Sequence, residues 1–212
     1  MDPGRVDAIL LSHEHGDHAR GAERFSRRFG TLVAGTRATL RGAGLLDEVP
    51  RRLIFESGET VKLGGLRVAT AGVSHDAADP VGFRVEAGES RIGFALDLGR
   101  ATESVRGLLE GCEAMILESN HDLEMLETGP YPRELKERLR GPRGHLSNAE
   151  AGELLSDVAG KSTRTLVLAH LSRTNNHPAL ARAAARSVLS RRAADARVVV
   201  AGQGPAGCWI EI

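Results

Sequence analysis

Close to its start the sequence carries the stretch Ser12-His13-Glu14-His15-Gly16-Asp17-His18. It follows the short apolar run Val6–Leu11, which has the length and composition of a buried strand. Three imidazoles and a carboxylate this close together suit a divalent cation. His13 and His15 can point the same way from the strand end, whereas Asp17 and His18 begin the next helix. We therefore predict a metal site here rather than a solvated polar loop.

Three later residues with metal-binding side chains lie at the ends of further strand-like runs: His75, Asp97 and His170. Each alone is equally well explained as an ordinary surface or packing residue. Together they supply one more imidazole for each of two ions and a carboxylate able to bridge them. Two ions roughly 3.5–4 Å apart can clamp both oxygens of a displacement reaction. The predicted ligands are His13, His15 and His75 for one ion, Asp17, His18 and His170 for the other, and Asp97 between them.

Composition excludes several classes of protein. The 212 residues are 41% hydrophobic and 26% charged, as in a globular protein, and no apolar run approaches the roughly 20 residues of a membrane helix. The first residues lack a signal-peptide pattern, and Cys112 and Cys208 are interpreted as reduced thiols. We expect one cytoplasmic domain over residues 1–212, with no membrane partner. The formal net charge of zero forces no polyanionic partner, and the sequence leaves the oligomeric state open.

The first half of the sequence indicates strands separated by turns. A helix is predicted over Ala19–Phe29, where Gly30 ends it. Turns at Ser57-Gly58, Gly64-Gly65 and Gly88-Glu89 are typical of hairpins and predict antiparallel neighbours. The predicted strands after Val6–Leu11 are Thr31–Ala34, Arg52–Phe55, Thr60–Leu63, Leu66–Ala71, Val81–Ala87 and Arg91–Asp97.

The second half of the sequence alternates helices and strands. Its predicted helices are Glu103–Leu109, Pro132–Leu139, Asn148–Val158 and Pro178–Ala193. Its predicted strands are Ala114–Glu118, Thr165–Ala169, Arg197–Ala201 and Cys208–Ile212. Hairpins followed by βα units indicate two sheets packed face to face and covered by helices, which is a layered α/β sandwich.

At this point the sequence resembles the metallo-β-lactamase-fold hydrolases, over nearly the whole chain. Further stretches look like the branch called YycJ, VicX or WalJ: Ser74-His75-Asp76-Ala77, Leu117-Glu118-Ser119-Asn120-His121-Asp122, Gly144-His145-Leu146-Ser147-Asn148 and Ala169-His170-Leu171-Ser172 with Asn175-Asn176. The resemblance implies a four-layer αβ/βα sandwich holding two divalent metal ions, Zn or Mn, with Fe also compatible. It also implies metal-dependent DNA exonuclease activity from 5′ ends.

Similarity to the related tRNase Z-type nucleases implies roles for two more residues. His145 faces the scissile phosphate and protonates the leaving oxygen, while Glu118 orients and charges it. Asp17 is counted with them as catalytic. The alternative is that His145 merely flanks a helix capped by Ser147 or Asn148, with Glu118 paired elsewhere.

The neighbouring motif residues carry weaker signals. Asp122 is equally well explained as a helix N-cap, and function at His121 is the less favoured interpretation. The residues Asn175, Asn176 and His177 are expected to shape the turn before the last helix.

Two features depart from the family pattern. Relatives carry N-terminal strands ending in an Asp-x-Gly turn, whereas Met1 lies five residues before the first strand here. We expect an N-terminally incomplete fold, from a truncated or wrongly started reading frame. The stretch Gly202–Gly207 fits a dinucleotide-binding pattern, but too few residues follow it, so a turn between terminal strands is favoured.

The leading functional hypothesis is a dinuclear metal-dependent phosphodiesterase acting on DNA. A small-molecule hydrolase of the glyoxalase II or lactonase kind explains the ligands equally well, but not the Glu118 and His145 motifs. A degenerate binding module is disfavoured because every ligand position is filled. Only 21 residues separate His75 from Asp97 and 47 separate Asp97 from His145, too few for the extra arms of larger nucleases. The arginines expected to capture DNA are Arg133, Arg138, Arg140 and Arg143.

Overall fold

The computed structural model describes residues 2–192 and 195–202. After a 3₁₀ turn at Pro3–Arg5, the strands in chain order are β1 (Ala8–Leu10), β2 (Leu32–Thr36), β3 (Arg52–Phe55), β4 (Thr60–Leu63), β5 (Leu66–Gly72), β6 (Val81–Ala87), β7 (Ser90–Ala95), β8 (Ala114–Glu118), β9 (Thr165–Ala169) and β10 (Arg197–Val200). The helices are α1 (Gly16–Ala19), α2 (Ala22–Phe29), α3 (Arg37–Gly42), α4 (Glu103–Leu109), α5 (Leu123–Thr128), α6 (Arg133–Arg140), α7 (Asn148–Val158) and α8 (Pro178–Arg191).

The strands form two sheets. The smaller has the order β1-β2-β3 and is parallel throughout. The larger has the order β10-β9-β8-β7-β6-β5-β4, with antiparallel pairing from β4 to β7 and parallel pairing from β7 to β10. Every residue of β9 is buried, as expected of a parallel strand covered on both faces.

Three apolar clusters divide the molecule into layers. Phe55 and Phe83 belong to the cluster between the two sheets. Leu11 and Leu40 belong to the cluster beneath the helices of the small sheet. Packing of α4, α7 and α8 on the other face of the large sheet buries the third and largest cluster. The order helix–sheet–sheet–helix confirms the predicted αβ/βα sandwich.

Several predicted elements differ from the structure. The turn at Ser57-Gly58 joins strands of different sheets, so the hairpin interpretation there is wrong, whereas the other two hairpins are confirmed. The helix predicted over Ala19–Phe29 begins only at Ala22, as α2, and Ala19 instead ends α1; Gly30 does end α2 in a left-handed conformation. Helices α3 and α5 were not predicted. They begin at the caps Thr36 and Asp122, as the side-chain hydrogen bonds show.

Some predictions fall on residues outside the described ranges. These are the strand Cys208–Ile212 with the Cys208 thiol, the residues of Gly202–Gly207 after Gly202, and the helix end at Ala193. Cys112 is buried, and burial raises the pKa of its thiol to about 11, consistent with a reduced side chain. In the described ranges, no helix is long and apolar enough to cross a membrane.

Strand direction determines where the predicted site residues meet. Because β5, β7, β8 and β9 run the same way, their carboxyl ends lie at one edge of the large sheet. His75, Asp97, Glu118 and His170 all lie at or just after those ends. The loop after β1 reaches the same edge, where the Val81 amide donates to the Ser12 carbonyl. The fold thus brings chain segments distant in sequence together at one rim.

Candidate metal centre

Three imidazoles from two loops form the buried part of this rim. The ring centroids lie 4.6 Å apart for His13 and His15, 5.2 Å for His13 and His75, and 5.1 Å for His15 and His75. The Nδ1 atom of His13 is 3.1 Å from Ser12 Oγ, and that of His75 is 3.3 Å from the Gly144 carbonyl. Their Nε2 atoms are buried without a hydrogen-bond partner in the described residues. Because buried polar atoms are normally paired, these two nitrogens are available to a cation.

A second group lies on the open side of the rim. Asp17 Oδ2 is 3.6 Å from both His18 Nε2 and His170 Nε2. The potential ligand atoms of these three residues all lie within 4.8 Å of one another, as do those of the first group. The Asp17 side chain is 66% exposed, against 3% or less for His13 and His75. Solvent therefore reaches the centre from the Asp17 side.

Asp97 lies between the two groups. Its Oδ2 is 3.9 Å from His13 Nε2 and 3.0 Å from His18 Nε2, and its Oδ1 is 3.7 Å from His75 Nε2. Burial raises the pKa of Asp97, but the adjacent His18 and His170 imidazoles outweigh burial and hold that pKa far below its usual range. The carboxylate is thus ionised between the two groups of candidate ligands, and its Oδ2 has no hydrogen-bond partner in the described residues.

Two residues of the rim have unusual backbone conformations. Asp97 has φ +56° and His170 has φ +58°, so both lie in the left-handed region that non-glycine residues seldom adopt. Each follows the end of a strand, β7 or β9, and the sharp turn directs its side chain toward the centre instead of along the sheet. Conformations of this kind cost about 1–3 kcal/mol and cluster at functional sites.

The charges of the rim favour a cation. Burial and the nearby His18 lower the pKa of His13 to about 4, so this imidazole is neutral at neutral pH and keeps a lone pair for a metal. Burial also lowers the pKa of His170, but the Glu118 hydrogen bond and the Asp97 charge raise it to about 9. Positive charge is therefore stabilised at His170, whether a proton or a metal ion supplies it.

Glu118 joins the centre to the predicted general acid. It is fully buried, and its Oε1 accepts a 2.8 Å hydrogen bond from His145 Nδ1 and another of 2.8 Å from His170 Nδ1. Its Oε2 accepts from the backbone amides of Leu98 and Leu146. Burial lowers the pKa of His145, but the Glu118 carboxylate outweighs it and the net shift is upward. The alternative in which Glu118 pairs elsewhere is therefore wrong.

The bond from His170 to Glu118 was not anticipated. The sequence motifs pair Glu118 with His145 alone, yet the same oxygen also orients His170. The βα pattern of the sequence indicates that β8 and β9 are parallel neighbours. In that register Glu118 lies opposite Ala169, next to His170. Ser12 is a second unanticipated residue, because its hydroxyl lies 3.1 Å from His13 Nδ1 and 3.3 Å from His18 Nδ1.

The neighbouring motif residues serve the scaffold. Asn176 Nδ2 donates to the carbonyls of Ser119 and Asn120, and Asn120 Nδ2 donates to the His170 carbonyl. Asp122 caps α5, as the cap interpretation predicts, and His177, expected only in the turn before the last helix, caps α8. His121 is fully buried and belongs to none of the ligand groups found in the described residues.

The predicted arginine patch is largely neutralised. Arg133 pairs with Glu137, Arg138 with Asp76, and Arg140 with Glu127. Only Arg143 has no carboxylate partner among the described residues, and its Nε lies 3.5 Å from the His75 carbonyl.

Comparison with known proteins identifies the class to which this fold and rim belong. Residues 1–171 match the family model of the beta-lactamase superfamily domain, and the chain belongs to that superfamily. Its fold is shared with the metallo-beta-lactamase fold protein YhfI from Bacillus subtilis, with a TM-score of 0.72 at 18% identity over 95% of this chain and 77% of that one.

Two relatives are similar at the level of sequence. The chain is 34% identical to exodeoxyribonuclease YycJ of Bacillus anthracis, over 88% of this chain and 72% of that protein. It is 33% identical to exodeoxyribonuclease WalJ of Streptococcus pneumoniae, over 84% of this chain and 68% of that protein. The chain is thus a hydrolase of the metallo-β-lactamase fold, similar to enzymes named as exonucleases.

Replacement of Glu118 by Gln tests whether this carboxylate organises the rim. Both carboxylate oxygens of Glu118 accept hydrogen bonds from N–H groups. In the Gln variant one oxygen becomes an NH₂ group, so N–H donors face each other there. We therefore expect the free energy of unfolding to fall by about 3 kcal/mol. The measurement is urea unfolding in the presence of a chelator. The matched control is Glu153→Gln, an exposed position on α7, which should change it by less than about 0.5 kcal/mol. Equal effects of the two substitutions would contradict the role given to Glu118.

Proposed function

We propose that this protein is a dinuclear metal-dependent phosphodiesterase that degrades DNA from its ends. The observation that carries the proposal is the buried Glu118 carboxylate, which holds His145 beside the ligand groups that converge on Asp97. The similarity to two proteins named as exodeoxyribonucleases supports DNA as the substrate. A direction from the 5′ end rests on resemblance to that branch.

The residues present fit a pair of divalent ions. In the proposed assignment His13, His15 and His75 would hold one ion, Asp17, His18 and His170 would hold the other, and Asp97 would be shared between them. Imidazole and carboxylate donors accept Zn, Mn or Fe, with availability deciding among them. When bound, such ions supply Lewis-acid stabilisation of the negative charge that develops on the phosphate oxygens.

The chain's own residues hold and move the proton. The Nδ1–H group of His145 donates a hydrogen bond to the Glu118 carboxylate. This bond orients the ring and raises the pKa of His145. The raised pKa favours the protonated imidazole, which can give a proton from Nε2 to the departing sugar oxygen; this is general-acid catalysis. Ser12 and the Gly144 carbonyl fix the orientation of His13 and His75 on the other side.

This arrangement distinguishes phosphodiesters from carboxylic esters. Hydrolysis of an ester or thioester calls for donors aimed at a carbonyl oxyanion. The Glu118–His145 pair instead supplies a proton, which suits a poor leaving group such as a sugar alkoxide. We therefore favour a phosphodiester over the lactone or thioester substrates of small-molecule hydrolases.

Substitutions at Asp97 and His145 separate the proposed roles in metal binding and proton donation. Asp97→Asn removes the negative charge between the ligand groups, so we expect it to lose both bound metal and activity. His145→Ala is expected to keep the metal while slowing DNA turnover about 10²–10⁴-fold. Metal content by plasma mass spectrometry and turnover on DNA are the two readouts.

The matched control for these variants is His177→Ala, which removes an exposed histidine outside the rim. It should retain the metal content and turnover of the unsubstituted protein. If His145→Ala turns over DNA at the normal rate, His145 is not the general acid.

A substrate comparison tests the proposed function itself. Linear DNA labelled at either end, closed circular DNA, S-lactoylglutathione and a homoserine lactone are each incubated with the protein and Mn²⁺ or Zn²⁺. We expect release of short products from linear DNA, release of a 5′ label before a 3′ label, and no cleavage of the circle. Robust hydrolysis of the thioester or lactone with intact DNA would replace the proposal with a small-molecule hydrolase.

A further inference from the structure

A row of arginines leads away from the candidate metal centre. Arg20 lies two residues after His18, and Arg24 and Arg28 follow at four-residue intervals. Arg20 and Gly21, between α1 and α2, both keep right-handed helical dihedral angles, with φ −52° and ψ −32° at Arg20. The helical path is therefore nearly continuous, and the four-residue spacing places the three arginines on one side, about 6 Å apart along the axis. We name Arg20, Arg24 and Arg28 the arginine ridge.

The ridge begins at the open side of the centre. Asp17 is the most exposed of the seven proposed ligands, and it lies on α1 three residues before Arg20. A Cβ atom built on Gly16 would lie 3.4 Å from a terminal nitrogen of Arg20, so this guanidinium extends along the first turn of α1. A substrate that reaches Asp17 from solvent therefore meets Arg20 next.

No described residue neutralises the charges of the ridge by an ion pair. Arg20 and Arg24 are exposed and form no ion pair with any described residue, and Arg28 lies 5.2 Å from the Phe29 ring centroid. Arg27, beside them, is different because it binds both Glu23 and Glu48. All four arginines and Glu23 line one shallow depression of the surface. Near His145, in contrast, Arg133, Arg138 and Arg140 are already paired.

Free guanidinium groups in a row match a chain of phosphates. Arginine binds phosphate oxygens as a planar fork and stays charged at any relevant pH. Because the formal net charge of the protein is zero, no overall field attracts a polyanion, and capture depends on a local surface of this kind. Because the ridge extends away from the candidate metal centre, it suits a substrate that carries further phosphate groups beyond the bond that is cut.

We propose that the arginine ridge binds the sugar–phosphate backbone of the DNA strand next to the nucleotide in the centre. This inference rests on the proposed function, and it names the surface that holds the substrate. The ridge gives affinity without sequence preference, because phosphate contacts carry no base information. It also makes binding dependent on salt, because each phosphate contact releases a counterion.

The test measures DNA binding apart from cleavage. The dissociation constant of a fluorescein-labelled linear DNA is measured by anisotropy in EDTA, between 50 and 200 mM KCl. The main variant is Arg20→Gln/Arg24→Gln. The second is Arg20→Lys/Arg24→Lys, which keeps the charge. The matched control is Arg182→Gln/Arg186→Gln, which removes two exposed arginines four residues apart on α8. Melting temperatures of all the variants verify that each protein is folded.

Loss of two phosphate contacts has a defined consequence. Each phosphate contact contributes about 0.9 to the slope of log Kd against log[KCl]. When KCl rises fourfold, the Kd of the unsubstituted protein should therefore increase about tenfold more than the Kd of the Gln variant. The Lys variant and the α8 control should keep the full salt dependence. If the Gln variant keeps the same slope and affinity as the control, the ridge does not bind DNA.

Cleavage of linear DNA by the unsubstituted protein is measured in parallel with Mn²⁺. Cleavage combined with an unchanged slope in the Gln variant overturns the ridge and leaves the proposed function intact. A reduced slope without cleavage supports the ridge and overturns the exonuclease. A protein that neither binds nor cleaves DNA overturns both.

Discussion

The four hydrogen bonds accepted by Glu118 are the interaction on which the rim depends. A carboxylate with no exposed surface is stable only if its oxygens are fully paired, and here the donors come from the loop after β7, the turn before α7 and the end of β9. One buried charge therefore fixes three chain segments relative to each other. Two of the donors are the proposed general acid His145 and the proposed ligand His170, which both donate to Oε1 of Glu118.

Strand direction and backbone conformation complete the geometry. Four strands of the large sheet end at the same rim, and the left-handed conformations of Asp97 and His170 turn these side chains inward from their strand ends. The cost of those conformations is offset by the surrounding hydrogen bonds, such as the one from Asn120 to the His170 carbonyl. The result is a charged rim in which several buried nitrogen and oxygen atoms have no hydrogen-bond partner in the described part of the chain and are available to the proposed ions.

Much of this could be predicted from sequence, for identifiable reasons. The closely spaced motif His13-Glu14-His15-Gly16-Asp17-His18 keeps its candidate ligands near each other in any fold, and residues at the ends of parallel strands meet at one edge. Features that depend on tertiary distances could not be predicted. Examples are the second partner of Glu118, the placement of β3 and β4 in different sheets, and the pairing of Arg138 with Asp76. The sequence shows how many charged side chains the protein has, whereas only the structure shows which of them form ion pairs with each other.

The proposed dinuclear metal centre is tested most directly by crystallography of the protein grown with Mn²⁺, with data collected above the manganese absorption edge. We expect two anomalous peaks at the rim, one among His13, His15 and His75 and the other among Asp17, His18 and His170, with Asp97 contacting both. A map with no anomalous peak at the rim, in a crystal whose Mn²⁺ content is verified by its fluorescence spectrum, would contradict the assignment of all seven ligands.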